Sequence, residues 1–306
     1  MKTIMPDCCL GFHCIAGACR HNCCLGWEID IDSASLARYR AVTGPLGQRL
    51  REAIVTEPGG AHFQLTPEER CPFLNAGNLC DLITALGEDS LCQICADHPR
   101  VRNELSDRTE VGLGLCCEAA ARLILGWPEP MRPVTLDDDG QSDPADADET
   151  ALLALRDGLI ALMQDRSRPF AQRLEALARR CRYPERPWHA WCDFLLSLER
   201  LDDAWADALA ALPEAPLPLA GEWDAPFEQL AVYLLFRHLP GALADGDLVG
   251  RTRYVVLITR LLRALLAAHP TPSQDALVEL CRLYSSEIEY SDENVGAILD
   301  ELARLG

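Results

Sequence analysis

Cysteine is distributed very unevenly along this chain of 306 residues. Twelve of its fifteen cysteines lie within the first 117 residues, and four of them crowd the stretch CIAGACRHNCC from Cys14 to Cys24. The loops between them have few apolar side chains, so a bound metal is one way for such a segment to gain folding energy. The thiols therefore constrain the N-terminal part of the chain more than any other feature.

Composition and charge limit the classes of partner. Apolar residues make up 49% and charged residues 25%, which is typical of a soluble globular protein. A net charge of −19 repels phosphate backbones and anionic lipid, so neither nucleic acid nor a membrane surface is an expected partner. MKTIMPDCCLG lacks the apolar core of a secretory signal, and Arg260 and Arg263 interrupt the most apolar late stretch. We expect a cytoplasmic protein, whose thiols stay reduced.

Several uses of clustered thiols can be compared. The odd number of cysteines and the reducing compartment argue against a disulfide framework, and a chain of this length buries a core without cross-links. A thioredoxin-like pair needs a C-x-x-C beside a strand–helix unit, and Cys92–Cys95 lacks that context. Metal binding remains. The uneven spacing favours an iron–sulfur cluster, while thiolate ligands by themselves suit zinc as well.

The apolar pattern predicts a mainly α-helical protein in two parts. Residues 135–150 carry seven acidic side chains and no basic one, which indicates a solvated linker between a cysteine-rich module at 1–134 and a helical domain at 151–306. The second part shows apolar residues at three- and four-residue spacing throughout. Its predicted helices cover 149–165, 170–181, 188–201, 227–239, 253–268 and 292–305.

The first part is more irregular. WEIDID (27–32) and AHFQL (61–65) alternate apolar and polar residues and are expected to pair as a short β ribbon. Residues 33–42 and 118–125 have helical patterns. The three late cysteines stand singly among helical patterns and are predicted to be small buried hydrophobic residues: Cys181, Cys192 and Cys281.

Four ordered blocks of sequence carry a resemblance to known proteins. FHCIAGACRHNCCLGW, CPFLNAGNLC, CADHPR and LCCEAAARLIL resemble the flagellin lysine-N-methylase family, and more loosely the CxxCxxCC group of zinc- or iron-chelating proteins. The resemblance spans about residues 10 to 130, and VYLLFRHL in the second part resembles the methylase family more weakly. The chain departs from the family where Glu118 follows Cys117 without an intervening proline, and where His98 replaces a common aromatic residue.

The resemblance implies a set of ligands and a chemistry. The eight cysteines shared with these proteins are the implied metal ligands: Cys14, Cys19, Cys23, Cys24, Cys71, Cys80, Cys95 and Cys117. Four others fall outside the shared pattern and are interpreted as incidental, the last two lying near the site: Cys8, Cys9, Cys92 and Cys116. The implied cofactors are a [4Fe–4S] cluster, with zinc as the alternative, and S-adenosylmethionine. The implied partner is a protein substrate such as flagellin.

Methyl transfer to lysine requires a neutral amine and a site that accepts the cationic sulfonium of the donor. Trp27, Arg100 and Arg122 are candidate cofactor-binding residues, with core packing of the tryptophan and ordinary salt bridges of the arginines as alternatives. The polar residues of YLLFRHL either line a cleft or include a simple i, i+4 pair of Tyr233 and Arg237. No residue stands out as a catalytic base.

The sequence therefore predicts an S-adenosylmethionine-dependent protein lysine N-methyltransferase that carries an iron–sulfur cluster. The alternative is a non-enzymatic iron–sulfur or zinc-binding module with an electron-transfer or structural role.

Overall fold

The fold is given by a computed structural model, which describes residues 1–141 and 143–306. Helices contain 55% of the residues and strands 12%, so the predicted mainly α-helical class is confirmed. The chain divides into two compact units. The small unit is His13–Arg100, and the large unit combines Met1–Phe12 with Val101–Gly306. The domain boundaries predicted at 134 and 150 both fall inside the large unit and stay predictions; Ser142, in the predicted linker, lies outside the described residues.

The secondary structure follows the chain in this order. The strands are β1 (Lys2–Pro6), β2 (Ile29–Ile31), β3 (Ile54–Glu57), β4 (Gly60–Phe63), β5 (Arg100–Glu104), β6 (Arg108–Leu113) and β7 (Pro133–Asp138). The helices are α1 (Ser33–Ala41), α2 (Gly44–Ala53), α3 (Asp81–Leu86), α4 (Gln93–Asp97), α5 (Glu118–Leu125), α6 (Ala147–Met163), α7 (Phe170–Arg180), α8 (Trp188–Leu196), α9 (Asp203–Ala210), α10 (Asp224–His238), α11 (Ala242–Asp245), α12 (Leu248–Ala268), α13 (Gln274–Tyr284) and α14 (Asp292–Leu305).

The small unit is built on an antiparallel sheet with the strand order β2–β4–β3. The predicted ribbon is present, because Ile29 pairs with Phe63 and Ile31 with Ala61. All four side chains are buried, whereas Asp30 between the two isoleucines is exposed, as the period of two along a strand requires. β3 was not part of the predicted ribbon.

The sheet of the large unit has the strand order β5–β6–β1–β7. β1 runs parallel to β6 and antiparallel to β7, so the first residues of the chain lie between two strands from beyond residue 100. Most of β7 and the start of α6 fall within the acidic segment 135–150. The side chain of Asp146 accepts hydrogen bonds from the backbone of Asp148 and Glu149 and begins α6 as an N-cap.

The helical core of the large unit is centred on α10 and α12. Side chains are buried on every side of both helices, which identifies them as interior elements rather than surface helices. Each of the six helices predicted for the second part overlaps an observed one, namely α6, α7, α8, α10, α12 or α14. α9 and α13 were not predicted. Cys181, Cys192 and Cys281 are all buried in this core, as predicted. No helix in the described part of the chain is long and apolar enough to cross a membrane.

Two charged clusters lie inside the large unit. Arg156 of α6 donates two hydrogen bonds, of 2.6 and 2.7 Å, to the carboxylate of Glu110 in β6, and both side chains are buried. Glu228 of α10 is fully buried and accepts hydrogen bonds from Arg166 and Arg173. Pairing of this kind is what allows charges to be removed from water, and the first pair ties the sheet to α6.

Replacing Glu110 with alanine is expected to lower the free energy of unfolding by about 3–5 kcal/mol, because it leaves the charge of Arg156 buried without its partner. The double replacement Glu110→Leu with Arg156→Met is expected to recover most of that loss. Urea unfolding at neutral pH measures both. The control is Arg304→Ala, which breaks an exposed pair with Glu301 and is expected to cost less than about 1 kcal/mol. A Glu110→Ala effect as small as this control would contradict the prediction.

Candidate metal centre

Backbone hydrogen bonds in the small unit bring the first two cysteine blocks side by side. The N–H of Cys71 donates to the carbonyl of Cys24 at 2.9 Å, and a β-bridge joins Leu25 to Arg70 directly beside this bond. A second bridge pairs Leu74 with Cys80. Cysteines that are far apart in the sequence therefore share one side of the small unit.

The third block reaches the same place through α1 and α4. Asp32 caps α1 through the N–H of Ser35, and its other carboxylate oxygen accepts from the N–H of Gln93 at 2.9 Å, at the start of α4. Cys92 and Cys95 are three residues apart on this turn, a spacing that places two side chains on the same face. Cys92 is fully buried and Cys95 is half-buried against the core of the small unit.

Two pairs of thiols in this region share hydrogen bonds. The bond with Cys24 lowers the pKa of Cys23 to about 7, against the effect of burial. In the same way the bond with Cys95 lowers the pKa of Cys92 to about 7. The proton of each pair stays on the other member, so the pKa of Cys24 and that of Cys95 lie well above the ordinary value. Each pair thus contains one thiol that ionises readily near neutral pH.

The two pairs are close enough to act on each other and on the second block. The charges of Cys71 and Cys80 raise the pKa of Cys24, and those of Cys24 and Cys71 raise the pKa of Cys95. Burial raises the pKa of Cys71 to about 11. We call this group the thiol cluster and define it by six residues: Cys23, Cys24, Cys71, Cys80, Cys92 and Cys95.

The thiol cluster does not have the geometry of a metal site in these side-chain conformations. Among residues 1–141 and 143–306, no three cysteine, histidine, aspartate or glutamate side chains are arranged to hold a metal ion. The cysteines are all free rather than joined as disulfides. The structure therefore brings the thiols of three blocks into one neighbourhood, and metal binding stays a prediction.

The other three of the eight predicted ligands make the following contacts. Cys14 and Cys19 flank a 3-10 turn at Ala16–Ala18; the thiol of Cys14 accepts from the N–H of Ala16, and that of Cys19 donates to the carbonyl of His21. Cys117 belongs to the large unit, where it is the N-cap residue of α5 and packs against the helical core. Their predicted role as ligands is untested.

Cys92 belongs to the thiol cluster although the sequence did not predict it as a ligand. It falls outside the shared cysteine pattern and was interpreted as incidental, yet its thiol bonds directly to that of Cys95. The C-x-x-C spacing of Cys92 and Cys95 could have indicated that both thiols belong to one site, but on the sequence alone this spacing is considered only as a redox motif. Cys8 and Cys9, in contrast, are buried in the core of the large unit with their sulfur atoms 3.8 Å apart.

The predicted cofactor-binding residues make ordinary structural contacts. The indole of Trp27 donates to the carbonyl of Cys23 and packs on the core of the small unit. Arg100 donates to the carbonyl of Ala96 at 3.1 Å. Arg122 pairs with Glu118 on its own helix and with Asp275 of α13. These contacts agree with the structural alternatives, and binding of a donor by these residues stays a prediction.

A buried polar network occupies the large unit, around Glu289 at the end of a π-helical stretch, Ser285–Glu289. The carboxylate of Glu289 accepts hydrogen bonds from the hydroxyl of Tyr233 at 2.8 Å and from Nε2 of His238 at 2.7 Å. Arg237 donates to the same hydroxyl and to the carbonyl of Glu289. π-Helical turns are rare and occur frequently at functional sites. We call these four residues the Glu289 network.

The electrostatics of the Glu289 network favour one charge state. Burial raises the pKa of Glu289, but the charge of Arg237 and the hydrogen bond from His238 outweigh it and leave the pKa at about 2. Burial also lowers the pKa of His238, so this imidazole is neutral and donates its proton to the carboxylate. The i, i+4 contact of Tyr233 and Arg237 is present, and it is one part of a larger network.

The Glu289 network also holds the segment that carries Cys117. The N–H of Leu115 donates to the hydroxyl of Tyr233 at 3.4 Å. The hydroxyl of Tyr290 bonds to the thiol of Cys116, whose pKa burial raises to about 12. Gly114 lies so close to Tyr290 that a Cβ there would come within 2.5 Å of its hydroxyl. A side chain at position 114 would therefore require the ring of Tyr290 to shift.

Together, the fold and the thiol cluster define a mainly helical, cysteine-rich protein with thiols gathered from three sequence blocks. Within that class the chain is similar to the lysine-N-methylases of Salmonella typhimurium (strain LT2) and Salmonella choleraesuis (strain SC-B67). It is 27% identical to each over 126 residues, which cover 39% of this chain and 31% of each relative. It is also 26% identical over 126 residues to the flagellar biosynthetic protein FliU of Salmonella muenchen, covering 39% of this chain and 75% of that protein.

These similarities confirm the resemblance to flagellin lysine methylases that the cysteine blocks predict. No family model matches the chain, and no solved structure matches it. Because the match spans about a third of the length of the lysine-N-methylases, the activity and substrate of those whole proteins do not follow from it.

Replacing Glu289 with glutamine is expected to lower the free energy of unfolding at pH 7 by about 3 kcal/mol, because Arg237 loses its buried counter-charge. The pKa of Glu289 lies at about 2, below the ordinary 4.5, so its contribution is fully present above pH 4.5 and disappears as the pH falls towards 2. The difference between wild type and variant should therefore stay constant from pH 7 to 5 and shrink below pH 4.5.

Urea unfolding at a series of pH values measures this difference. Glu57→Gln, at an exposed position in β3, is the control and is expected to change stability by less than about 0.5 kcal/mol. A Glu289→Gln difference that is equally large at pH 7 and at pH 3 would show that the carboxylate charge does not stabilise the fold.

Proposed function

We propose that this chain is a protein lysine N-methyltransferase, similar to the flagellin lysine methylases, that uses S-adenosylmethionine and carries a thiolate-bound metal centre. The observation that carries the proposal is the thiol cluster: three cysteine blocks that resemble the methylase family contribute thiols to one neighbourhood of the small unit. The similarity to proteins named lysine-N-methylase and FliU supports the same activity. We place the protein in the cytoplasm, where these thiols stay reduced.

The donor set of the thiol cluster fits a soft metal centre. Six sulfur atoms make up the cluster, and thiolates are the ligands of iron–sulfur clusters and of structural zinc. Cys23 and Cys92 have a lowered pKa, so two of the six thiols reach the ionised form that metal binding requires at little cost. We propose a [4Fe–4S] cluster held by members of this group, with Cys14, Cys19 and Cys117 as further predicted ligands and zinc as the alternative metal.

The metal centre is assigned a structural role. An iron–sulfur cluster supplies bonds that fix its ligand loops and also stores electrons, but methyl transfer needs no electron. Two of the ten buried residues in the core of the small unit, Cys71 and Cys92, belong to the thiol cluster. Ligation by these thiols would join that core to the loops that carry the other members of the cluster.

Methyl transfer itself is a displacement at carbon. The lone pair of a neutral lysine amine forms the N–C bond while the S–CH₃ bond breaks, and sulfur keeps the bonding pair as S-adenosylhomocysteine leaves. The positive charge moves from sulfur to nitrogen, and the amine then loses a proton to water. In solution the lysine of the substrate is a cation before it loses its proton. The net charge of −19 of this chain favours the approach of a protein surface that carries such cations.

A non-enzymatic metal-binding module is the second candidate. The limited match favours it, because only 39% of this chain aligns with the methylases. A shared cysteine module with an unrelated helical part would give the same match without the same activity.

Co-expression with flagellin of the same host is expected to add the mass of one methylene for each methyl group transferred to lysine. Intact-mass analysis of the flagellin measures this addition, and peptide sequencing by mass spectrometry locates it. Flagellin from cells that lack the chain is the control. Unmodified lysines in the presence of the soluble, metal-loaded protein would exclude flagellin as the substrate and favour the module.

Purification without oxygen is expected to yield a brown protein with equal amounts of iron and acid-labile sulfide. The double variant Cys71→Ala with Cys95→Ala removes two thiols of the cluster and is expected to lose most of the iron. The matched control is Cys281→Ala, which removes a buried thiol of the large unit and is expected to keep full iron content. A colourless wild type that contains zinc would overturn the iron–sulfur assignment, and one without any metal would overturn the metal centre.

A further inference from the structure

The large unit contains a pocket of about 500 Å³ beside α7, α8 and α12. This volume lies within the range of about 300–1,000 Å³ that is typical of small-molecule sites. Three aromatic side chains form part of its wall: Tyr183, Trp188 and Trp191. Pro216–Leu219, a segment between α9 and α10, forms another part, and Leu217 there is 78% exposed. The pocket thus combines flat apolar walls with an accessible rim.

Three arginines line the pocket, and two of them have carboxylate partners. Arg260 lies over the ring of Tyr183 and pairs with Glu175 and Glu185. Arg186 lies over Trp191 and pairs with Glu301. The charges of these two side chains are compensated within the protein.

Arg263 is different. Its guanidinium lies over the rings of Phe170 and Phe227, with the central carbon 5.5 and 5.1 Å from the ring centres, and it has no ion pair with a carboxylate in the described part of the chain. Its Nη1 is buried without a hydrogen-bond partner. Burial lowers the pKa of Arg263, and only the more distant charge of Asp224 opposes this. A guanidinium remains charged in proteins, so one wall of the pocket carries an uncompensated cation in a strongly acidic chain.

We propose that this pocket binds a small molecule that carries a carboxylate and a flat ring, with the carboxylate on Arg263 and the ring against the aromatic wall. Under the proposed function, on which this identification rests, the ligand is the methyl donor S-adenosylmethionine. Its adenine ring can pack on Trp188, and its carboxylate supplies the counter-charge that Arg263 lacks.

The same wall can accept the cationic part of the donor. Sulfonium and ammonium groups are attracted by the faces of tryptophan and tyrosine, and they are also attracted by carboxylates. Glu175 and Glu185 line the pocket beside Arg260 and are more than half exposed, so their oxygens are accessible to a ligand. The pocket therefore presents charges of both signs, as a zwitterionic ligand requires.

Titration calorimetry with the full chain tests this assignment. Arg263→Met is expected to raise the Kd of S-adenosylmethionine about 10- to 100-fold, because a charge-assisted hydrogen bond to the carboxylate is lost. Decarboxylated S-adenosylmethionine keeps the ring and both cationic groups, so its Kd should be the same for wild type and Arg263→Met. Trp188→Ala is expected to weaken both compounds about 10-fold.

Two further variants serve as controls. Arg304→Met removes the same charge at a position outside the pocket that is 65% exposed, and it should bind both compounds like wild type. Arg263→Lys keeps the charge and should bind S-adenosylmethionine better than Arg263→Met does. Circular dichroism and the Tm of each variant report folding. If Arg263→Met fails to fold, the single variants Trp188→Ala and Arg263→Lys test whether S-adenosylmethionine binds in this pocket.

The outcomes separate this inference from the proposed function. If wild type binds S-adenosylmethionine and the Arg263 and Trp188 variants bind it with the same affinity, the donor binds elsewhere and the methyltransferase proposal stands. Wild type that does not bind S-adenosylmethionine would overturn the donor, and with it the ligand assigned to this pocket.

Discussion

The hydrogen bond from the N–H of Cys71 to the carbonyl of Cys24 is the contact on which the small unit depends most. It joins the segment before β2 to the segment between β4 and α3, and neither of the two residues lies in a helix or a strand. The neighbouring bridge of Leu25 and Arg70 extends the contact by one residue pair. Without these backbone bonds the thiols of the first and second blocks would lie on separate loops, so these bonds determine how the first two blocks of the thiol cluster are arranged.

The large unit is stabilised by apolar burial and by buried ion pairs. α10 and α12 are buried on all sides, and burying so much helix surface brings polar groups into the interior along with the apolar ones. Each of those groups must then be paired, since an uncompensated buried charge costs several kcal/mol. Glu228, Glu110 and Glu289 each meet an arginine, and these ion pairs connect helices and strands that are distant in sequence. Arg263, which lines the pocket beside α7, α8 and α12, has no ion pair with a carboxylate in the described part of the chain, and this is what draws attention to that pocket.

Much of this fold could be predicted from the sequence because its signals are local. The helical spacing in α7 and α14, and the alternation around Ile29 and Ile31, indicate which face of an element is buried without reference to any partner. The parallel pairing of β1 with β6 has no such signal, because it joins the first residues of the chain to residues beyond 100. α13 was missed although Leu277, Leu280 and Cys281 have helical spacing, and β3 was missed because half of it is exposed.

The candidate site shows the same division. The cysteine blocks predict a group of neighbouring thiols. Only the fold shows that Cys92 belongs to this group through its contact with Cys95, and that Cys117 belongs to the large unit. Glu289 gives no signal in the sequence, because a buried carboxylate is recognised only by its partners, which lie more than fifty residues away in α10.

The two units also differ in how a ligand would act on them. In the large unit the apolar core and the buried ion pairs of Glu110, Glu228 and Glu289 need no ligand, so a small molecule in the Arg263 pocket would add to a structure that is already formed. In the small unit Cys71 and Cys92 are two of the ten buried core residues, and pairs of thiols share protons beside them. Replacing those protons with a metal would convert weak S–H hydrogen bonds into coordinate bonds that link loops distant in sequence, so binding and folding would be coupled there.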